Sequence, residues 1–363
     1  MKIKKLFNRK TVLVTGHTGF KGSWLSAWLT ELGASVIGLS DKVPTFPSHY
    51  DLIKDNILQD HRIDVRDAES VFSLIAATKP SFIFHLAAQP IVLESYNDPL
   101  TTFSTNTLGT ASILDAMRRI NHKCIAIMIT SDKCYDNVEK NYGYEETDPL
   151  GGKDPYSGSK GAAELVIRSY VQSFFRNSDS NIRVAVGRAG NVIGGGDWAP
   201  YRIVPDCVRS WSDNQKPEIR SPFATRPWQH VLEPLSGYLS LACELNDNDA
   251  LIGEAFNFGP PPQNNTVKEL INEMIINWPG SEWVDKSTEN NSPHEAGLLQ
   301  LNCNKALHIL NWKATLDFEE TARWTSDWYR SYYKESPESA IKITNMQIKK
   351  YMDFAKQRSS FNI

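Results

Sequence analysis

Cysteine is scarce in this chain, and the five present (Cys124, Cys134, Cys207, Cys243 and Cys303) are scattered. None forms the close pair of a metal site, and five cannot all pair within one chain. Reduced thiols in a cytoplasmic protein without a metal centre are the expectation. An excess of positive charge is also lacking: 39 Lys and Arg against 42 Asp and Glu leave a net charge of −3. That balance offers nucleic acid no electrostatic footprint, so no nucleic-acid partner is expected. No apolar run approaches the length that spans a bilayer, so no membrane partner is expected either. Met1 to Lys10 is basic, but no apolar stretch follows it, and it does not read as a signal peptide. Repeats and low-complexity segments are missing. What is there is a chain of 363 residues with ordinary globular composition. It is long enough for one large α/β domain with a smaller lobe.

The densest chemistry lies between Ser131 and Lys160. Thr130-Ser131-Asp132-Lys133 follows an apolar run, Ile125 to Ile129, that reads as a buried strand. Asp154-Pro155 then starts a helix, which puts Tyr156 and Lys160 one turn apart on one face. An ammonium beside a phenol favours phenolate. The pair can therefore serve as a base near neutral pH, although free tyrosine titrates at about 10. Tyr and Lys at this spacing are also common on ordinary helix surfaces.

The start of the chain separates these readings. Thr11 to Thr15 is a short apolar strand. It runs into Gly16-His17-Thr18-Gly19-Phe20-Lys21-Gly22 and then a helix from Ser23 to Leu32. Glycines in such a turn let a pyrophosphate approach the backbone, and the helix N-terminus favours its charge. Asp41 follows the second strand. Its carboxylate suits the adenosine ribose of NAD and repels the 2′-phosphate of NADP. The neighbouring Lys42 could tolerate that phosphate, and an Asp there also serves as a plain turn residue.

Strands alternate with helices from here. Arg62 to Val65 reads as a strand that places Asp64 near the adenine edge. Phe82 to Leu86 reads as a buried strand ending in Ala87-Ala88-Gln89, small residues that leave room for a cofactor or simply pack closely. His85 reads as a core histidine. Pro99 to Met117 is a helix containing Asn106, and Arg183 to Gly187 closes the parallel set. The rhythm predicts an α/β fold with a doubly wound parallel sheet, a Rossmann-type NAD domain. Residues 1–187, with a segment returning at about 229–258, are assigned to it. Residues 188–228 and 259–335 form a smaller C-terminal substrate lobe over the strand ends, and 336–363 a helical tail. The second half holds Gly190 to Trp198, a glycine-rich loop, and Arg226-Pro227-Trp228-Gln229-His230. Trp198 and Trp228 are assigned no role.

Together the glycine turn, Ser131-Asp132-Lys133 and Tyr156…Lys160 resemble the extended short-chain dehydrogenase/reductases that act on nucleotide sugars. Thr15 through Leu25, Thr130 through Tyr135, Asp154 through Ser157, Gly190 through Trp198 and Arg226 through Val231 narrow the likeness. They are similar to the CDP-glucose 4,6-dehydratase family, in order and spacing, from about residue 8 to about 335. Relatives acting on dTDP- or GDP-sugars usually carry Glu where Lys133 stands. Leu93 departs from the arginine that members often have near that position.

The resemblance implies an NAD cofactor held by Gly16, Thr18, Gly19, Phe20, Lys21, Gly22, Asp41, Asp64, Val65, Leu86, Ala87, Ala88, Asn106, Tyr156 and Lys160. It implies CDP-glucose bound by Gln89, Ser131, Asn191 and Arg226, with arginine's planar fork suiting a diphosphate. Tyr156 would be the base at the sugar 4-hydroxyl and Ser131 its partner. Asp132 would be the acid that protonates the departing 6-hydroxyl. Lys133 would act at carbon 5, either as a neutral base or as a charged stabiliser of the enolate. The family also implies a homodimer joined by a four-helix bundle of the Asn106 and Tyr156 helices. Downstream, it implies dideoxyhexoses for a bacterial surface polysaccharide such as the O-antigen of lipopolysaccharide. A 4-epimerase, another nucleotide-sugar dehydratase, and a non-catalytic nucleotide sensor are the competing readings. An epimerase has no use for an acid–lysine pair, and a sensor has none for Tyr156 and Lys160.

Overall fold

Successive residues of a strand face opposite sides of a sheet, and here both sides are apolar. Val12, Val14, Phe82, Phe84, Ile125 and Ile127 face one core. Leu13, Ile37, Leu39, Ile83, Ala126, Met128, Val184 and Val186 face the other. A sheet greasy on both faces must be covered on both, and helices do so. The computed structural model describes residues 2–140, 142–177, 179–287 and 299–361. Part of the predicted lobe, residues 288–298, lies outside them.

The chain enters through α1 (Lys2–Phe7), whose Phe7 packs on Phe82 at 4.8 Å between ring centroids. Then come β1 (Thr11–Thr15), α2 (Phe20–Glu31), β2 (Ser35–Ser40), α3 (His49–Ile53), β3 (Gln59–Arg62), α4 (Ala68–Thr78) and β4 (Phe82–His85). Helices α5 (Val92–Asn97) and α6 (Pro99–Phe103) lead through a π-helical turn (Ser104–Leu108) into α7 (Gly109–Arg118). β5 (Cys124–Ile129), α8 (Pro155–Tyr170) and β6 (Ile182–Ala189) complete the first half. α8 begins where Asp154 accepts a hydrogen bond from Ser157 N at 2.9 Å with Pro155 in the first turn.

After β6 come α9 (Ile203–Ser212), β7 (Glu218–Ile219), α10 (Leu232–Asp247), β8 (Ala255–Phe258), α11 (Val267–Ile276) and β9 (Val284–Asp285). The last helices are α12 (Asn304–Leu310), α13 (Phe318–Lys334) and α14 (Pro337–Arg358). α11 and α13 start with full capping boxes, Thr266 with Glu269 and Asp317 with Glu320. β7 and β9 pair with each other, apart from the main sheet.

The main sheet has seven strands, all parallel, in the order β3-β2-β1-β4-β5-β6-β8. The doubly wound fold is therefore as expected. The order reverses between β1 and β4, where Val12 pairs with both Val36 and Phe82. In such sheets a ligand crevice opens outside the carboxyl ends at that switch. One strand is displaced from the sequence reading: β3 spans Gln59–Arg62, so Asp64 and Val65 lie beyond it, in the loop. Its polar sequence, Gln-Asp-His-Arg, carries no apolar signal because β3 is the exposed edge. α14 is not a loose tail. It buries Ala340, Thr344, Gln347, Ile348, Tyr351 and Ala355.

Candidate active site

The turn after β1 shows why its glycines are there. Gly16 has φ +72°, and a Cβ on it would lie 2.7 Å from Ala87 N. A Cβ on Gly22 would lie 2.1 Å from Gly16 O, so the helix sits directly on the turn. Gly19 starts α2, and no side chain caps that first turn, where Phe20, Lys21 and Gly22 follow. Thr18 Oγ1 donates to Lys42 O at 2.7 Å and ties the turn to the end of β2. Beside it, exposed Asp41 accepts from Lys42 N at 2.8 Å. Asp64 is held in a fork by Arg66, with Nη2 to Oδ2 at 2.6 Å and Nε to Oδ1 at 3.0 Å. That guanidinium holds the Asp64 carboxyl below its usual range, and Asp41 also acts on Arg66. Val65 is buried against Gly109, where a Cβ would come within 2.6 Å of it.

Leu86, Ala87 and Ala88 continue from β4 along the other side of the turn, and Ala87 N donates to Thr15 Oγ1 at 3.1 Å. His85 is buried between Thr15 Oγ1 at 2.8 Å and Thr110 Oγ1 at 3.2 Å. Burial takes its imidazole down to about 3, so it is a neutral core histidine. Asn106 is a bracket. Its Oδ1 accepts from Gln89 N at 2.8 Å, and its Nδ2 donates to Ser159 Oγ at 2.8 Å and Gln89 O at 3.2 Å. It thereby fixes the end of β4 against the Tyr156 helix. The Gln89 side chain is tied to Thr102 Oγ1 at 2.9 Å and Ile91 N at 2.6 Å.

Ser131 caps a tight 3₁₀ turn, Asp132–Cys134, that carries Asp132 and Lys133 at the carboxyl end of β5. Ser131 Oγ donates to Asp132 Oδ1 at 2.9 Å and accepts from Lys133 N at 3.2 Å. Burial pushes the Asp132 carboxyl up, although Lys133 and Ser131 pull against it. The structure brings Tyr156 and Lys160 to the same place, both buried on α8. Burial pushes the Tyr156 phenol up to about 12, and the strongest opposing influence is its hydrogen bond with Ser131. The sequence reading expected Lys160 to set a lowered phenol, so the direction needs correcting. Desolvation of the phenolate dominates over Ser131 and Arg202, and Lys160 is itself pulled to about 8 by burial.

Lys21 reaches in from the glycine turn, its Nζ 3.5 Å from Gly190 O. Burial and Arg202 bring it to about 8. Arg202 is a residue that sequence reasoning passed over. It pairs with Asp197 at 2.9 Å, and its charge acts on both Lys21 and Tyr156. Its signal was position: it follows the glycine-rich loop by four residues, just past Trp198. His17 was passed over too. It is fully buried, bonded to Asp60 at 2.9 Å and Ser40 at 3.0 Å, and a Cβ on Gly38 would strike its ring at 2.3 Å.

Asn191 lies exposed at the rim, and half-buried Arg226 donates to Thr225 O at 2.8 Å. Trp198 and Trp228 are buried, with indole bonds to Tyr333 Oη and Asn265 O. Between sheet and lobe opens a cleft of about 400 Å³, lined by Asp132, Gly190, Pro227, Gln229, Gln263 and Leu301 among others. No cluster of metal-ligating side chains occurs among the described residues.

Known proteins resemble this arrangement. A family model described as GDP-mannose 4,6 dehydratase matches residues 13–325. The CDP-glucose 4,6-dehydratase of Salmonella typhimurium is 43% identical over 96% of this chain and 98% of its own length. The dTDP-glucose 4,6-dehydratase of Streptomyces antibioticus is 29% identical over 88% of this chain and 92% of its own. Among solved structures, UDP-glucose 4-epimerase from Thermotoga maritima superposes with a TM-score of 0.74 at 22% identity, covering 88% of this chain and 99% of that one. The NAD complex of dTDP-glucose 4,6-dehydratase from Bacillus anthracis gives 0.72 at 20%, covering 91% and 99%. These two share the fold. With a family model over most of its length and a full-length relative at 43% identity, the chain belongs to the GDP-mannose 4,6-dehydratase family of the extended short-chain dehydrogenase/reductases.

Proposed function

We propose that the chain converts CDP-D-glucose to CDP-4-dehydro-6-deoxy-D-glucose and water, as a hydro-lyase with a tightly held NAD. One observation carries this beyond fold: a buried, upshifted carboxylic acid and a lysine, Asp132 and Lys133, share one turn beside Tyr156. The full-length relative named for this activity supports it. The residues also fit the cofactor. Gly16 and Gly22 leave no room for side chains at the turn, and the uncapped start of α2 offers backbone N–H groups to a pyrophosphate. Asp41 and Asp64 stand at the adenosine end.

Bound NAD supplies the hydride acceptor for carbon 4, the hydride donor for carbon 6, and a positive ring charge. Tyr156 takes the proton of the 4-hydroxyl, with Ser131 hydrogen-bonded to it. Lys160 stands one turn along on the same buried face of α8. The 4-ketone acidifies carbon 5. Lys133, as the free amine, would take the carbon 5 proton and, once charged, would steady the enolate that forms. Asp132 gives its proton to the departing 6-hydroxyl, which leaves as water. Carbon 5 would regain its proton from Lys133 as carbon 6 is reduced, and the proton held by Tyr156 would restore Asp132, so the balance is loss of one water. Asn191 and Arg226 at the lobe rim are assigned to the diphosphate, and Gln89 and Ser131 to the sugar. In this reading residues 1–187 and 229–258 carry NAD, and 188–228 with 259–335 carry the nucleotide sugar.

The partner is a second copy of the chain. Leu100, Leu108, Leu165 and Phe174 are exposed apolar side chains on the elements that would form the four-helix bundle. The five cysteines are free, which suits a cytoplasmic enzyme feeding dideoxyhexose synthesis for surface polysaccharide. Among the described residues no helix is long and apolar enough to cross a membrane.

The test is incubation with CDP-, dTDP-, GDP- and UDP-glucose, with and without added NAD. The expected result is an alkali-absorbing 4-keto-6-deoxy product from CDP-glucose, lighter by one water. Water loss from none of the four donors overturns the reading.

A further inference from the structure

Under the Ser131–Lys133 turn lies a buried ion pair that the scheme above leaves unused. Glu164 stands one turn beyond Lys160 on α8, and Arg188 lies near the end of β6. Both side chains are only 5% exposed. Arg188 grips the carboxylate with two prongs, Nε to Oε1 at 2.8 Å and Nη2 to Oε2 at 3.0 Å. Glu164 Oε1 also accepts from Thr130 Oγ1 at 2.6 Å. Arg188 Nη1 donates to Tyr135 Oη at 2.9 Å and to Glu146 O at 3.1 Å. The Tyr135 hydroxyl passes on to Asn257 Oδ1 at 2.7 Å. Thr130 and Tyr135 are the residues that bracket the turn on either side.

We propose that the Glu164–Arg188 pair is a positioning clamp, which holds both ends of the Ser131–Cys134 turn against α8 and so sets Asp132 and Lys133 relative to Tyr156. The inference rests on the dehydratase reading. A buried ion pair contributes little net stability, because desolvation consumes most of the attraction. Its bidentate geometry, however, fixes orientation. Here one pair spans β5, α8 and β6, the three elements that carry the site. The division of labour makes the placement matter. Oxidation at carbon 4 uses Tyr156 and Lys160, both on α8, and from the turn only Ser131, its first residue. Water loss uses Asp132 and Lys133, both on the turn. A misplacement of about 1 Å can cost on the order of 10²-fold in rate.

Tyr135→Phe and Thr130→Val each remove one hydroxyl and leave the ion pair in place. The full-length variants are mixed with NAD and CDP-glucose in a single turnover, and reduced nicotinamide is followed by absorbance. The rise, which reports carbon 4 oxidation, should stay within about twofold of the unaltered protein, whereas the decay should slow by about tenfold or more. Reduced cofactor then accumulates, with KM unchanged. Equal slowing of both phases, or no change in either, overturns the clamp. Amide hydrogen exchange over residues 131–135 reads the same clamp without substrate. It should quicken by about tenfold in both variants while β1 and β4 hold their protection. Unchanged exchange overturns the clamp. If instead the unaltered protein turns over no sugar nucleotide, the dehydratase reading fails, and the exchange result still decides the clamp.

Discussion

Ser131 is the residue on which the acid–base balance turns. Its hydroxyl meets Asp132 at 2.9 Å and is the main influence holding the Tyr156 phenol down. Ser131→Ala removes the strongest influence that lowers the phenol, so the phenol moves higher. The rising limb of kcat against pH should therefore shift to higher pH, measured as a pH–rate profile over the alkaline range. An unmoved limb would show that the rise belongs to another group. Asp132 has the opposite need, since an acid must hold its proton, and burial already pushes it up. Asp132→Asn should lower overall turnover by roughly 10²–10⁴-fold while the first hydride transfer survives. Stopped-flow absorbance separates the two. These residues were legible because each motif is local: a glycine turn, a polar triplet after a strand, a Tyr and Lys one helical turn apart. The phenol's direction was not legible, because burial is a property of the whole fold. His17, Arg202 and the Glu164–Arg188 pair escaped for a related reason. The partners of His17 and Arg188 stand 43 and 24 residues away, too far for a spacing rule to join them, and Arg202 pairs with nearby Asp197 in a loop that has no periodicity to read.

Among elements, the strands and helices with apolar periodicity were readable, and the polar edge strand β3 was not. The role of α14 was also hidden. It is docked by Glu233 of α10, whose carboxylate accepts from Thr315 N at 2.9 Å, Leu316 N at 2.7 Å and Tyr351 Oη at 2.6 Å. Burial raises Glu233 to about 7, above its unfolded value of about 4.3. A raised carboxyl makes the folded state bind more protons than the unfolded one. Its stabilising contribution is complete below the unfolded value and is lost as pH rises through about 7. Thermal melts should accordingly fall between about pH 4.5 and 7 by on the order of 3 kcal/mol from this group. Glu233→Gln should flatten that slope, and a slope unchanged in the variant would place the linkage elsewhere. α14 also meets α2, the helix after the glycine turn, through His49. Its ring stacks on Trp24 at 4.9 Å and bonds to Ser23 Oγ at 2.8 Å and Thr344 Oγ1 at 3.1 Å.

For the whole molecule, the proposed dimer rests on the exposed leucines. Leu165 is 56% exposed and Leu108 61% exposed. Leu165→Glu would put a charge at the centre of the proposed bundle, which is costly without a partner. Light scattering after gel filtration should show a dimer for the unaltered chain and a monomer for the variant. A variant with unchanged mass would move the interface away from α8.

His49 and Thr344 meet although 295 residues separate them in the chain. Translation at about 5–20 residues per second sets roughly 15–60 s between their appearances. For that interval α2, the helix behind the glycine turn, has been made but lacks its cover, with Trp24 and Trp28 short of partners they will later bury against. Nascent chains of this protein should be a target for ribosome-associated holdases in that window. The grip on dinucleotide should tighten late, in one step, when α14 arrives.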